Sequence, residues 1–202
     1  MCKEFYPVNN FPKLNLLILN WKTIQKEFYK LKAPLLNIHR LEKPHAEVFQ
    51  EIVQHIAKGG KYGWLMGWTN DGIPNPNWVQ YPLIFNEQEI SFVSGMSQTM
   101  ELLKQIKGIK VCSLITMKPH TYLPTHTHPE IKEEDLLQFH LTLDMDEGQP
   151  YSYLNVNGQF CQNEPGKGIV FDGSKEHFAL NASNKDRTIL YIEFDRKKLS
   201  AV

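Results

Sequence analysis

His126-Thr127-His128 places two imidazoles at i and i+2. On an extended chain they share a face, with Cα atoms about 7 Å apart, close enough for both rings to reach one metal ion. A third imidazole, His177, follows some fifty residues later, at the end of Phe171-Asp172-Gly173-Ser174-Lys175-Glu176-His177. A ligand pair on one strand joined by a distant histidine is a layout of non-haem iron centres, which keep positions open for oxygen and a cosubstrate. Arg187, ten residues beyond His177, starts the apolar run Thr188-Ile189-Leu190-Tyr191-Ile192. A guanidinium there can grip a carboxylate through two parallel hydrogen bonds, a task lysine does less well. Each feature alone is weak: surface strands carry H-x-H by chance, His177 could serve a turn, and Arg187 could be a solvated strand end. In this order they point to a metal centre beside an anion anchor. A zinc hydrolase would also accept three histidines, but it leaves Arg187 without a task.

The elements that must position these residues follow from periodicity. After Gly108 the hydrophobic period drops to two, and residues 111–117, 122–128, 136–144, 151–156, 168–171 and 188–195 read as strands separated by turn signals. His120 reads as a turn residue. Closely spaced short strands suggest a sandwich or barrel with helices packed outside. Leu137, Phe139, Leu141 and Leu143 form one face of their strand, and Gln138, His140 and Thr142 form the other. If both faces are covered, the polar row must line a pocket, because buried polar groups need partners. Upstream, Ile24, Phe28 and Leu31 make the stripe of an amphipathic helix stopped by Pro34, and Val48, Ile52 and Ile56 make a second, ended by Gly59-Gly60. Residues 97–106 read as one more helix, with Met100, Leu103 and Ile106 inward. Between them, residues 63–85 carry Trp64, Trp68, Asn70-Asp71-Gly72, Pro74, Pro76, Trp78 and Tyr81, the pattern of a short strand followed by a structured loop. Part of that loop could wall a substrate pocket. His39, His45 and His55 stand singly in the helical region and suggest no site.

The chain has 202 residues, 22 Lys+Arg against 22 Asp+Glu, 42% hydrophobic and 11% aromatic residues. That length suits one domain, organised as a helical N-terminal extension over residues 1–62, packed on a β core over residues 63–202. The zero formal charge offers no field to draw nucleic acid, and no 18-residue apolar run exists to span a membrane. Three cysteines (Cys2, Cys112 and Cys161) without C-x-x-C spacing argue against a disulfide framework. Residues 14–19 are too short and too far in for a secretory signal. A cytoplasmic protein is expected.

Residues from about 64 to 198 resemble the aspartyl/asparaginyl/proline β-hydroxylase family of iron(II)- and 2-oxoglutarate-dependent dioxygenases. The resemblance rests on Thr99-Met100-Glu101-Leu102-Leu103; Cys112-Ser113-Leu114; Pro124-Thr125-His126-Thr127-His128-Pro129; His140-Leu141-Thr142-Leu143; Val156-Asn157-Gly158; and Gly168-Ile169-Val170-Phe171-Asp172-Gly173-Ser174 with Glu176-His177, leading through Asn181-Ala182-Ser183 to Arg187. The resemblance implies a mainly β, double-stranded β-helix fold of the jelly-roll or cupin-like kind, with packing helices. It implies that His126 and His177 hold iron, that Arg187 with Ser113 takes the distal carboxylate of 2-oxoglutarate, and that His140 lies at the cosubstrate's other end. Two positions depart from the family pattern. Gln138 stands where an arginine is common, and His128 where an acid or a glycine is usual, so His128 could complete a three-histidine site. A second register would use His128-Pro129-Glu130 as H-x-E and leave His126 spare.

The expected activity is hydroxylation of an unactivated C–H bond, with Fe(II), 2-oxoglutarate and O2. The substrate would be an amino acid, a peptide or a protein Asp/Asn-type side chain. Two other readings are carried: a cupin-like metalloprotein that does not use 2-oxoglutarate, and a degenerate relative kept as a binding module.

Overall fold

A computed structural model describes residues 4–41, 43–69 and 72–200. Cys2 and the Asn70-Asp71 part of the turn lie outside the described residues. In chain order the elements are β1 (Phe5–Tyr6), α1 (Asn15–Leu19), α2 (Trp21–Lys30), β2 (Leu35–Leu36), α3 (His45–Ala57), β3 (Trp64–Trp68), β4 (Pro74–Phe85), β5 (Gln88–Glu89), α4 (Ser97–Lys104), β6 (Ile109–Met117), β7 (Thr121–His126), α5 (Pro129–Glu133), β8 (Leu136–Asp144), β9 (Ser152–Val156), β10 (Gln159–Gln162), β11 (Gly168–Phe171), β12 (His177–Asn181), β13 (Arg187–Asp195) and α6 (Arg196–Leu199).

The strands form two sheets. The larger has the order β1-β11-β8-β13-β6-β4-β3-β2, with β5 attached to β4; the smaller has the order β10-β9-β12-β7. From β6 onward the chain passes back and forth between the sheets, with only the β9–β10 hairpin staying in the smaller one: a mainly β jelly roll, as the resemblance implies. The smaller sheet covers one face of the larger, and the helices cover the other. On the helical side Leu14, Leu17 and Ile24 meet Phe139, Leu141, Leu143, Ile192 and Phe194 in one continuous core. Because both faces of β8 are covered, eight of its nine residues are buried, and its polar row of Gln138, His140 and Thr142 points between the sheets. The Asn157-Gly158 turn, with both residues at positive φ, makes the tight β9–β10 hairpin; β10 was not among the expected strands.

Three local readings change. Residues 74–85 form a long strand rather than a loop, paired with β3 on one side and β6 on the other. Its prolines obscure it, yet Pro74 opens the strand and Pro76 and Pro82 fall beside register shifts, between Met66 and Gly67 on β3 and between Pro82 and Ile84 on β4, so the missing N–H groups break no regular ladder. Second, β7 ends at His126, and His128 lies just beyond it, at the N-cap of α5. Its backbone stays extended (φ −118, ψ 89) and its N–H donates to Gly173 O at 2.9 Å, so the two rings still converge. Third, His177 opens strand β12, whose one small inward residue, Ala179, gives little hydrophobic signal. His120 takes φ +53, the left-handed geometry of the turn residue it was read as.

Candidate metal centre

The three histidines come from two places held together by the smaller sheet. His126 ends β7, His177 begins the adjacent β12, and the two residues are register partners. Their ring centroids are 4.3 Å apart; His128 is 5.1 Å from His126 and 5.3 Å from His177. One ring nitrogen from each lies within 4.8 Å of the other two, a spacing that suits a shared metal ion. The far nitrogens are tied down: Nδ1 of His126 meets Pro124 O at 2.7 Å, Nδ1 of His177 meets Lys175 O at 2.8 Å, and Nδ1 of His128 meets Glu130 Oε1 at 3.1 Å. Each backbone carbonyl can only accept, so Nδ1 carries the proton and Nε2 is left as a lone-pair donor. Burial lowers the pKa of His126 and, with the neighbouring His126 charge, holds His177 down to about 3. Both therefore stay neutral, the form that binds metal.

The alternative register is not what the geometry groups. His126 clusters with His128 and His177, whereas Glu130 belongs to a second cluster, of His128, Glu130 and Glu193, which shares only His128 with the first.

On the facing sheet, β13 alternates. Leu190, Ile192 and Phe194 enter the helical core, while Arg187, Ile189, Tyr191 and Glu193 face the smaller sheet. Arg187 is 2% exposed. It donates to Met117 Sδ, a weak acceptor, and its Nε is buried with no partner. Burial brings its pKa down to about 10, so it remains a cation at neutral pH. A buried cation with an orphaned donor is costly unless an anion completes it, and a ligand carboxylate fits that deficit. The wall around it is apolar: Trp78, Met117 and Ala179 pack together with Trp68, Ile115 and Leu123. The Trp78 ring lies over Gly67, where a Cβ would come within 2.2 Å of it. Trp78, from the part expected to be a loop, thus reaches the interior, with the partly buried Trp68 of β3 packed against it.

His140 is buried between Phe171 (4.9 Å) and Tyr191 (5.5 Å); burial and the neighbouring Arg187 charge hold its pKa well below the usual range. Ser113, His140 and Tyr191 lie in one row across β6, β13 and β8. Ser113 is therefore beside Tyr191, while the register partner of Arg187 is Met117, roughly 13 Å away along the strand. Gln138 is fully buried; its Nε2 donates to Tyr191 Oη at 2.6 Å, Tyr191 donates to Glu193, and its Oε1 has no partner. Burial pushes the Glu193 carboxyl up, and the Tyr191 hydrogen bond opposes that. At Gly173 a Cβ would come within 2.3 Å of Gln138 Oε1, so glycine is what lets the amide lie against this loop.

Tyr191 and Glu193 escaped the sequence reading, although the alternation rule applied to β8 would have exposed them had it been carried through β13. Arg40 and His45 were also passed over. Arg40 lies 4.9 Å from the Trp68 ring and His45 5.7 Å from it, and the charges of both reach Glu130. Two open surface clefts, of about 270 and 560 Å3, lie elsewhere, around Tyr6 and Arg196 and around Lys13 and Lys107, with no histidine in either.

A family model described as aspartyl/asparaginyl beta-hydroxylase matches residues 19–197. An ornithine lipid ester-linked acyl 2-hydroxylase from Rhizobium tropici is 28% identical over 193 residues, covering 95% of this chain and 63% of that protein. An uncharacterized protein, L888, of Acanthamoeba polyphaga mimivirus is 23% identical over 204 residues, covering 96% and 70%. The chain thus spans about two thirds of the length of these relatives. Among solved structures, an oxidoreductase of the 2OG-Fe(II) oxygenase family from Burkholderia pseudomallei superposes with a TM-score of 0.52 at 12% identity, covering 75% of this chain and 80% of that one. At that identity the likeness is one of fold.

Proposed function

The chain belongs to the aspartyl/asparaginyl beta-hydroxylase family, and from that membership we propose that it is an iron(II)- and 2-oxoglutarate-dependent hydroxylase. The observation that carries the reading is the pairing of three converging imidazoles with a buried, incompletely satisfied guanidinium in one interior. His126 and His177 hold the metal through Nε2, with His128 as third ligand. Arg187 receives the far carboxylate of 2-oxoglutarate, and its orphaned donor gains a partner. Ser113, expected beside Arg187, sits in the Tyr191–His140 row instead and with His140 lines the cosubstrate's path, while Gln138 hydrogen-bonds Tyr191 at the Glu193 end of the same face. Trp78, Ile115 and Leu123 keep water from the space between the sheets, which strengthens every charge interaction there. When bound, iron with 2-oxoglutarate and O2 supplies the oxidising power for C–H hydroxylation, with succinate and CO2 as the coproducts.

The substrate in this reading is an amino acid, a peptide or an Asp/Asn-type side chain. The Rhizobium tropici relative favours one second reading, an acyl chain on a lipid. A direct test is calorimetric binding of 2-oxoglutarate to protein loaded with Fe(II) under anaerobic conditions, followed by succinate detection in air. Binding that requires metal and succinate that requires oxygen are expected. Metal-loaded protein that ignores 2-oxoglutarate would leave the cupin-like reading, and cosubstrate binding without turnover the binding-module reading.

A further inference from the structure

Beside the metal centre lies a spot built almost wholly of hydrogen-bond acceptors. A ring nitrogen of His128 and one carboxylate oxygen each from Glu130 and Glu193 lie within 4.8 Å of one another. Glu193 is 9% exposed, lies on the inner face of β13, and makes no ion pair with a lysine or arginine among the described residues. Independently of the two acids, the fully buried Gln138 contributes an unpartnered amide oxygen. Gln138 is the register partner of Glu193 on β8, and its oxygen lies against Gly173, whose carbonyl holds the His128 N–H.

The donors nearby are already committed. Tyr191 donates to Glu193, Gln138 Nε2 donates to Tyr191 and reaches Glu193 as well, and the His128–Glu130 contact takes up Nδ1. Of the cations whose charge reaches the two acids, Arg40 lies over the Trp68 ring and Lys110 pairs with Glu134 at 2.7 Å, so neither makes an ion pair with Glu130 or Glu193; the imidazoles of His45 and His128 also face Glu130. What is missing is a compact group with positive charge and several N–H donors. A primary ammonium has both, with three donors on one small centre.

We infer that Glu193, Glu130 and Gln138 Oε1 form a receptor for a substrate ammonium group beside the metal centre. The inference deepens the hydroxylase reading and rests on it for the fate of the bound amine. His128 is shared between the two clusters, so a carbon near the charged nitrogen is the one brought to the metal. An Asp or Asn inside a protein chain has no such nitrogen. The substrate class this selects is therefore a free amino acid or another amine-bearing molecule, recognised by its amine.

The test uses full-length, Zn(II)-loaded protein saturated with 2-oxoglutarate, and ligand-observed NMR titration. Probes are matched pairs: L-lysine, L-aspartate and L-proline against their Nα-acetyl forms, Nε-acetyl-lysine, and an end-blocked Asp/Asn peptide. Binding of at least one free amine ten-fold or more tighter than its acetylated counterpart is expected. Glu193→Gln should erase that preference while metal and 2-oxoglutarate binding stay as in the wild type. Should Glu193→Gln fail to fold, Glu130→Gln at the exposed rim should reduce the preference several-fold. No preference for any amine, a preference that survives both substitutions, or selective binding of the blocked peptide would overturn the inference. So would a second equivalent of Mn(II) bound by the wild type and lost in Glu193→Gln, since the acceptors would then hold metal. Loss of 2-oxoglutarate binding in the wild type would instead count against the hydroxylase reading, and the amine preference can be read without it.

Discussion

His126 and His177 differ from His128 in what holds their far nitrogens. Backbone carbonyls fix the first two, whereas His128 leans on Glu130, whose side chain is itself half exposed. Rigid, pre-oriented ligands carry more of the affinity. His126→Ala or His177→Ala should therefore weaken Co(II) binding beyond about 100-fold, and His128→Ala by roughly 10-fold, read from the visible absorption of the Co(II) protein. Equal losses at all three positions would place His128 on a par with the others. Arg187→Met, which keeps length and apolar packing, should lower 2-oxoglutarate affinity by roughly 100-fold, the scale for removing one partner of a buried charge pair. Metal affinity should be unchanged. A variant that binds 2-oxoglutarate normally would remove Arg187 from the cosubstrate pocket. These residues were legible because H-x-H, the lone His177 and the arginine after it have few other uses together. Tyr191 and Glu193 were not, because they are single polar positions inside a strand whose other residues read as core.

Among the elements, α4 is held by a contact that no local pattern announces. Glu27, on α2, accepts from Gln98 N at 2.9 Å and from Thr99 N and Thr99 Oγ1 at 2.8 and 2.7 Å. It thus caps the first turn of a helix 70 residues away, where the orphan N–H groups favour an anion. Glu27→Ala leaves those buried donors unpaired and should cost about 2 kcal/mol, or a fall in melting temperature of about 4–8 °C. Thermal unfolding followed by circular dichroism would show it, and an unchanged midpoint would mean that water replaces the cap. The same distinction sorts the fold. Strand β8 was readable because its alternation is carried in its own nine residues. Strand β4 was hidden because Pro74, Pro76 and Pro82 argue against a strand; they are tolerated because Pro74 opens it and the other two fall beside register shifts in its pairing. The pairs β1–β11 and β2–β3 are two residues long, below what periodicity can detect.

At the scale of the whole molecule, a jelly roll that buries neutral imidazoles between its sheets ties its stability to pH. His126, His140 and His177 all have folded-state pKa values pushed below the ordinary 6.5, chiefly by burial. The unfolded chain then takes up protons more readily than the folded one, so stability from these groups is complete above about pH 6.5 and is lost as pH falls. For His177, whose value is about 3, the loss amounts to about 1.4 kcal/mol per pH unit below 6.5, and it continues until the folded state also protonates. Glu193 acts in the opposite sense. Burial raises its carboxyl pKa, so the folded state binds its proton first and gains stability as pH falls through that raised value. The contribution of His177 can be isolated by comparing metal-free wild type with His177→Gln in denaturant titrations between pH 7.5 and 5. Above pH 7 the two should keep a constant difference. Below 6.5 the wild-type curve should fall more steeply, by about 1.4 kcal/mol per unit. Parallel curves across that range would mean that the interior admits a protonated His177. The same protons compete with metal, so metal affinity should fall over the pH range in which the metal-free protein loses stability.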